Sequence, residues 1–220
     1  MSEALGLGLA GPGGAVLDLC CGFGRHTLAL RERGQDAFGV DLSLELLTDS
    51  GSLEGGAQLA GRLARADMRA LPFRADAFAA VLMLFSSFGY LGEEGDARTL
   101  GEIARVLAPG GLAVLDLMNP DRVRAGLVER STCERAGAVL TEERSLADGG
   151  RRVVKEVTLE HPGGNRETWS EDVRMYAADE VAALAQRFGL VPRKVLGGFA
   201  GEPYDSGAER QIVVLTLPRG

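Results

Sequence analysis

The chain is sparing with several residue types. Among 220 residues it has three cysteines, two histidines and one tryptophan, and its only lysines are Lys155 and Lys194. Cys20, Cys21 and Cys133 form neither an even disulfide set nor a spaced metal knuckle, so a reducing, cytoplasmic setting and no metal site are expected. No apolar run approaches the roughly 18 residues of a membrane span, and Met1–Gly6 lacks the basic and apolar regions of a signal peptide. There is no block of five or six basic residues, and the net charge is −7, so neither a nucleic-acid surface nor a basic membrane patch is advertised. No internal repeat or low-complexity segment is visible. What remains, 45% hydrophobic and 25% charged, is the composition of an ordinary globule, and 220 residues suit a single domain, 1–220.

The informative stretch is Val16 to Leu30. Val16–Leu19 reads as a buried strand, Gly22 and Gly24 as a tight turn, and Arg25 onward as a helix stopped by Gly34. Strand, glycine turn and helix make a cradle in which backbone approaches a ligand closely and a helix N-terminus favours an anionic group. Many α/β proteins carry such a turn and bind nothing there. A dinucleotide fingerprint would have glycine where Thr27 stands, which disfavours a nicotinamide dehydrogenase. Asp18, just before the turn, would repel a pyrophosphate but attract an amino group, so the loop suits a zwitterionic cofactor.

Asp18-Leu19-Cys20-Cys21-Gly22-Phe23-Gly24 resembles the first motif of class I S-adenosylmethionine-dependent methyltransferases of the bacterial small-molecule type. Two further segments carry the resemblance: Asp67-Met68-Arg69-Ala70-Leu71-Pro72-Phe73, similar to the third motif, and Arg105-Val106-Leu107-Ala108-Pro109-Gly110-Gly111-Leu112, a helix stop, turn and strand. It is strong over residues 15–119 and moderate over 178–217. It implies a Rossmann-like, seven-stranded α/β sheet, mostly parallel with the last strand antiparallel, and helices on both faces. It also implies S-adenosyl-L-methionine as cofactor. The implied reaction is direct displacement of its methyl by an N or O nucleophile of a small-molecule acceptor.

The remaining elements fit this frame. Phe38–Asp41 reads as a second strand, and Asp41 lies 17 residues after Gly24, where an acid accepts from ribose hydroxyls or else caps the next helix, a role open also to Ser43. Residues 62–66 read as a third strand, and the apolar run Phe78–Phe85 as a fourth, buried on both faces. Residues 94–107 make a helix with one apolar face, and Leu112–Leu117 a fifth strand. Residues 120–176 break the alternation: 138–145, 151–160 and 166–176 read as antiparallel strands joined at Asp148-Gly149-Gly150 and Pro162-Gly163-Gly164-Asn165. This β insertion serves as a dimer interface, a lid scaffold or a substrate selector. Asp179 caps a last helix, ahead of strands 190–196 and 210–217.

The cofactor residues implied are Asp18, Cys20, Gly22, Gly24, Arg25, Asp41, Leu42, Asp67, Met68 and Phe85. In that scheme Asp67 accepts from the adenine amino group, unless it only caps a turn, and Met68 lies against the ring. Aromatic rings hold sulfonium or ammonium cations, so Phe88, Tyr90, Trp169, Tyr176 and Phe199 are acceptor-side candidates, with Arg174 as a substrate guide; each has plain packing as its alternative. His26 orients a carboxylate together with Arg25 or merely packs, and His161 sits in a solvated hairpin turn. No general base is identifiable, which keeps a non-catalytic S-adenosylmethionine-binding protein open beside the enzyme, and likewise a protein or RNA substrate. The Asp/Asn-Pro-Pro-Tyr signature of nucleobase amino-methylation is absent, since Leu84 is followed by Phe85-Ser86-Ser87-Phe88. Relatives usually carry covering helices before the first strand, whereas about 15 residues precede it here, so closure is expected from a short lid, another subunit or further chain.

Overall fold

The computed structural model describes residues 14–219; the glycine-rich lead-in lies outside the described residues. Two sheets organise the chain. The larger has seven strands in the order β10-β11-β5-β4-β1-β2-β3. They are β1 (Val16–Leu19), β2 (Ala37–Asp41), β3 (Leu63–Arg65), β4 (Phe78–Met83), β5 (Leu107–Leu117), β10 (Val191–Leu196) and β11 (Gln211–Thr216). β11 runs antiparallel to both β5 and β10, while the pairs β1–β2, β1–β4, β2–β3 and β4–β5 are parallel.

Strand alternation splits the apolar residues between two layers. Leu17, Leu19, Val81, Met83, Leu115, Val213 and Leu215 pack with Leu100 and Ile103 of α3 (Gly92–Val106) and with Val181 and Ala185 of α5 (Ala178–Gln186). Val16, Ala80, Leu82, Val114, Ile212 and Val214 form the opposite layer, joined by Leu30 of α1 (Arg25–Glu32) and by Phe199. The central strands are fully buried, which is why they read as apolar runs.

The smaller sheet is the insertion: β6 (Arg130–Arg135), β7 (Ala138–Ala147), β8 (Arg152–Glu160) and β9 (Arg166–Arg174), all antiparallel in that order. Three strands were expected there and four are present. Arg130-Ser131-Thr132-Cys133-Glu134-Arg135 has no apolar alternation, so only pairing with β7 defines β6. A helix was also missed, α4 (Pro120–Gly126). The Asn119 side chain accepts from the Asp121 N–H at 3.2 Å and Pro120 takes the first helical position, a start signal too short to show as periodicity. Two boundaries shift. Ala177 rather than Asp179 opens α5, its N–H donating to the Glu180 carboxylate at 2.8 Å. β4 stops at Met83, because Phe85 and Ser86 have φ of 57° each, which no strand accommodates. α2 (Leu44–Thr48) is short, capped by Ser43 as expected, and gives way to 3-10 turns.

Candidate active site

The turn after β1 is held by the acid at the end of β2. Asp41 Oδ2 accepts from the Gly22 N–H at 2.8 Å and Oδ1 from the Ser43 N–H at 2.9 Å. A carboxylate offers about four acceptor positions, so two remain for a ligand. A Cβ on Gly22 would meet nothing within 4 Å, so this backbone faces open space that a ligand can occupy; one on Gly24 would strike Leu59 at 3.0 Å and Leu63 at 3.2 Å. Gly24 therefore serves the packing and the left-handed turn (φ 87°) rather than a ligand contact. Beside the turn lies a pocket of about 130 Å³ lined by Cys20, Asp41, Leu42, Asp67, Met68 and Arg69, among others, which joins three strand ends.

Asp18 is buried and accepts from the Thr27 hydroxyl at 2.7 Å. Burial raises its pKa from the ordinary 3.8 to about 6, against the lowering effect of Thr27. Burial likewise pushes the Cys20 thiol up to about 12, which removes it as a thiolate nucleophile. Asp67 is held by Arg69, whose Nη2 lies 2.6 Å from Oδ2 and whose backbone N–H donates to Oδ1 at 2.8 Å; that partner keeps the carboxyl below its usual range.

The exit of β4 is a strained junction of aromatic and ionic groups. The Phe85 N–H donates to Asp116 Oδ2 at 2.8 Å, and the Ser86 N–H donates to the Asp116 carbonyl at 2.9 Å, so β5 holds both left-handed residues. Arg210 Nη1 completes the pair at 3.1 Å from the wholly buried Asp116. Burial raises the Asp116 pKa, opposed by the Phe85 N–H and Arg210. The half-exposed Phe85 ring stacks on His26 with centroids 5.3 Å apart, and Arg210 lies 5.2 Å above it. His26 is thereby partly buried, which lowers its pKa, with Arg25 as a second cause.

Two cavities open on Phe85. One of about 730 Å³ is lined mainly by residues of the loop between β10 and β11, including Phe199 and Arg210. The other, of about 390 Å³, lies between the β4 exit and the insertion. Its walls are Phe85, Ser86 and Tyr90, then Met118, Val123 and Leu127, then Arg144, Val153, Lys155, Glu171 and Val173 of the four-stranded sheet. Apolar walls with a few convergent polar groups are the usual make-up of a small-molecule site.

Known proteins resemble this chain along most of its length. A family model described as a methyltransferase domain matches residues 16–111. The cypemycin N-terminal methyltransferase of a Streptomyces species is 30% identical over 217 residues, covering 92% of this chain and 83% of that protein. The chain belongs to the class I S-adenosylmethionine-dependent methyltransferases. Among solved structures, the sugar N-methyltransferase of Streptoalloteichus sp ATCC 53650 is 25% identical with a TM-score of 0.70, over 95% of this chain and 82% of that one. The CcbJ methyltransferase of Streptomyces caelestis has a TM-score of 0.80 at 19% identity, over 99% and 88%, and speaks for the fold alone. Membership makes the chain an S-adenosylmethionine-dependent enzyme and sets aside the dehydrogenase and the non-catalytic binder. The residues present fit that cofactor: a strand-end acid with acceptor capacity to spare, open space at Gly22, and a pocket floored by Met68.

Of the expected site residues, the methyltransferase fold brings Cys20, Asp41, Leu42, Asp67 and Met68 to one pocket, with Gly22 next to it, and gathers Arg25, His26, Phe85 and Phe199 at another corner. Four acceptor-side expectations change. Phe88 and Tyr176 are buried against each other in the core, where the Tyr176 hydroxyl donates to the buried Asp96 at 2.9 Å. Arg174 is taken up by Glu93 and Glu180 at 3.2 Å each and by the Tyr176 ring, away from the cavity. Trp169 sits on the cavity-facing side of β9 but beyond the lining. Only Tyr90 lines the 390 Å³ cavity directly. His161 pairs with Glu167 at 2.8 Å in its hairpin. Asp116, Arg144, Lys155, Glu171 and Arg210 were missed; Asp116 alone left a signal, an acid inside the apolar run Leu112–Leu117. No helix among the described residues is long and apolar enough to cross a membrane, and no cluster of metal-ligating side chains occurs among them.

Proposed function

We propose that this methyltransferase methylates the amino nitrogen of a small-molecule acceptor bound in the 390 Å³ cavity. The observation that carries the reading is that cavity, which shares Phe85 with the glycine-turn corner and is closed by the insertion sheet. Two of the similar proteins, an N-terminal and a sugar N-methyltransferase, support nitrogen over oxygen. S-adenosylmethionine supplies an activated methyl on a sulfonium, so the protein's task is alignment of the two reactants.

In this scheme Asp41 takes the ribose hydroxyls and Met68 and Leu42 flank the adenine. Gly22 and Arg25 face the methionine end, where the buried Asp18 fixes the start of α1 through Thr27. Phe85, with Arg210 and His26 behind it, divides the cofactor space from the acceptor space. The insertion acts as substrate selector and lid. The three free thiols suit the reducing cytoplasm.

The test is transfer from methyl-labelled S-adenosylmethionine to matched amines and alcohols, read as S-adenosylhomocysteine release and product mass. N-methylated products support the reading. Transfer to the alcohols alone, or to carbon, overturns it.

A further inference from the structure

The insertion turns an ionic row inward. On β7, β8 and β9, Arg144 stands opposite Lys155 and Lys155 opposite Glu171, and all three line the cavity. Glu142, on the same face of β7, bonds Arg144 and lies 3.6 Å from Lys155. Lys155 Nζ is 2.9 Å from Glu171. These side chains are only 24–31% exposed. The opposite face of the sheet carries Thr141, Glu143, Ser145, Glu156, Thr168 and Ser170, where charges stay hydrated at no cost. Ion pairs in a half-dry cavity are at best neutral for stability, so a row placed there invites a functional account. Glu171 is also the acid beside Tyr90, whose hydroxyl pKa is raised by burial first and by Glu171 second.

We propose that Glu171 reads the acceptor: its carboxylate takes the amino group next to Tyr90, and Lys155 is the counter-ion exchanged when that group arrives. The inference rests on the amine reading above. Lys155 has a second carboxylate within reach, Glu142, so it can leave Glu171 without becoming an unpaired buried charge. The ammonium held there first gives one proton to water; the freed nitrogen lone pair then forms the new C–N bond, the methyl's bond to sulfur breaks and its electron pair stays on sulfur. Positive charge arrives on nitrogen, and one proton then leaves that nitrogen for water. A fixed carboxylate beside the nitrogen favours this charge arrival. It also discriminates against a hydroxyl, which carries no charge into the site.

The experiment uses the full chain and its Glu171→Gln, Lys155→Met and Glu142→Gln variants. The probes are 2-phenylethylamine with 2-phenylethanol, and glucosamine with glucose. Binding is titrated on protein loaded with S-adenosylhomocysteine, and kinetics with S-adenosylmethionine. Wild type is expected to bind the amines at least tenfold more tightly than their hydroxyl partners. Glu171→Gln abolishes that preference and lowers kcat while cofactor affinity stays within twofold, which shows an intact fold. Lys155→Met keeps the preference and lowers the amine Kd severalfold, because the arriving group no longer has to displace a cation from Glu171; a merely structural ion pair would leave the amine Kd unchanged. A wild type without amine preference overturns the proposal, as does a Glu171→Gln variant that keeps it. Amine transfer unaffected by Glu171→Gln sinks this inference and leaves the amine reading standing, whereas transfer to the alcohols alone sinks both.

Discussion

Asp18 and Asp41 stand near the carboxyl ends of neighbouring strands, and their surroundings divide their roles. Asp41 is partly open, with two acceptor positions spent on backbone N–H groups. In the proposed role Asp41→Ala removes a ribose partner and also loosens the Gly22 turn, and S-adenosylmethionine binding by calorimetry should weaken by roughly 1–3 kcal/mol; unchanged affinity would refute the ribose role. Asp18 is closed off, and its proton is held more tightly folded than unfolded, about 6 against 3.8. The associated stabilisation is complete below about pH 3.8 and is lost as pH rises through about 6, an effect on the order of 3 kcal/mol. Asp18→Asn, which keeps an acceptor for Thr27 but does not ionise, should lose that much less stability than wild type between pH 4 and 7 in denaturant titrations. Parallel pH curves would show that burial does not raise the Asp18 pKa above that of the unfolded chain.

Elements meet at particular atoms. α1 crosses the sheet where Gly39 of β2 leaves room; a Cβ there would lie 2.6 Å from Leu63, 2.7 Å from Cys21 Sγ and 2.7 Å from Thr27 Oγ1. Gly39→Ala should cost about 1–3 kcal/mol of unfolding free energy through overpacking, although Gly39 has an ordinary backbone conformation. The β4–β5 junction depends on Arg210. Arg210→Met leaves Asp116 buried without its cation and should destabilise the chain by about 3 kcal/mol, a loss that shrinks as Asp116 is protonated on acidification. Equal stability of this variant and wild type at pH 7.5 would mean Arg210 acts on the site and not on the fold. The elements most legible in the sequence were those with a strong period: the apolar strands β1, β4, β5 and β11, and the one-sided helices α3 and α5. β6 and α4 were not legible, because a polar edge strand and a seven-residue helix bury too little to impose a pattern.

At the scale of the molecule, the proposed function assigns the cofactor residues to the seven-stranded sheet and the closing of the acceptor cavity to the four-stranded sheet. Substitutions should divide accordingly. Trp169, 43% exposed, stands on the same face of β9 as the cavity-lining Glu171 and Val173, two positions beyond Glu171. Trp169→Ala should raise the acceptor KM about fivefold, the equivalent of one lost aromatic contact of about 1 kcal/mol, and leave S-adenosylmethionine affinity unchanged. A change in cofactor affinity instead would tie the insertion to the cradle.

The sequence by itself determined the sheet, the glycine turn and the strand-end acids. Each of these is a local device: periodicity, a left-handed turn, an acid at a strand terminus, readable within a few residues of its neighbours. Only the tertiary structure decided which aromatics are core and which face the cavity, since Phe88 and Tyr90 differ by two residues in one loop but not in type of motif. It alone set Arg69 on Asp67, Arg210 on Asp116 and Lys155 between two carboxylates, as these pairs span from two residues to 94 residues of chain. Cross-strand register and burial fix such partners, and neither is written in the spacing of the residues that meet.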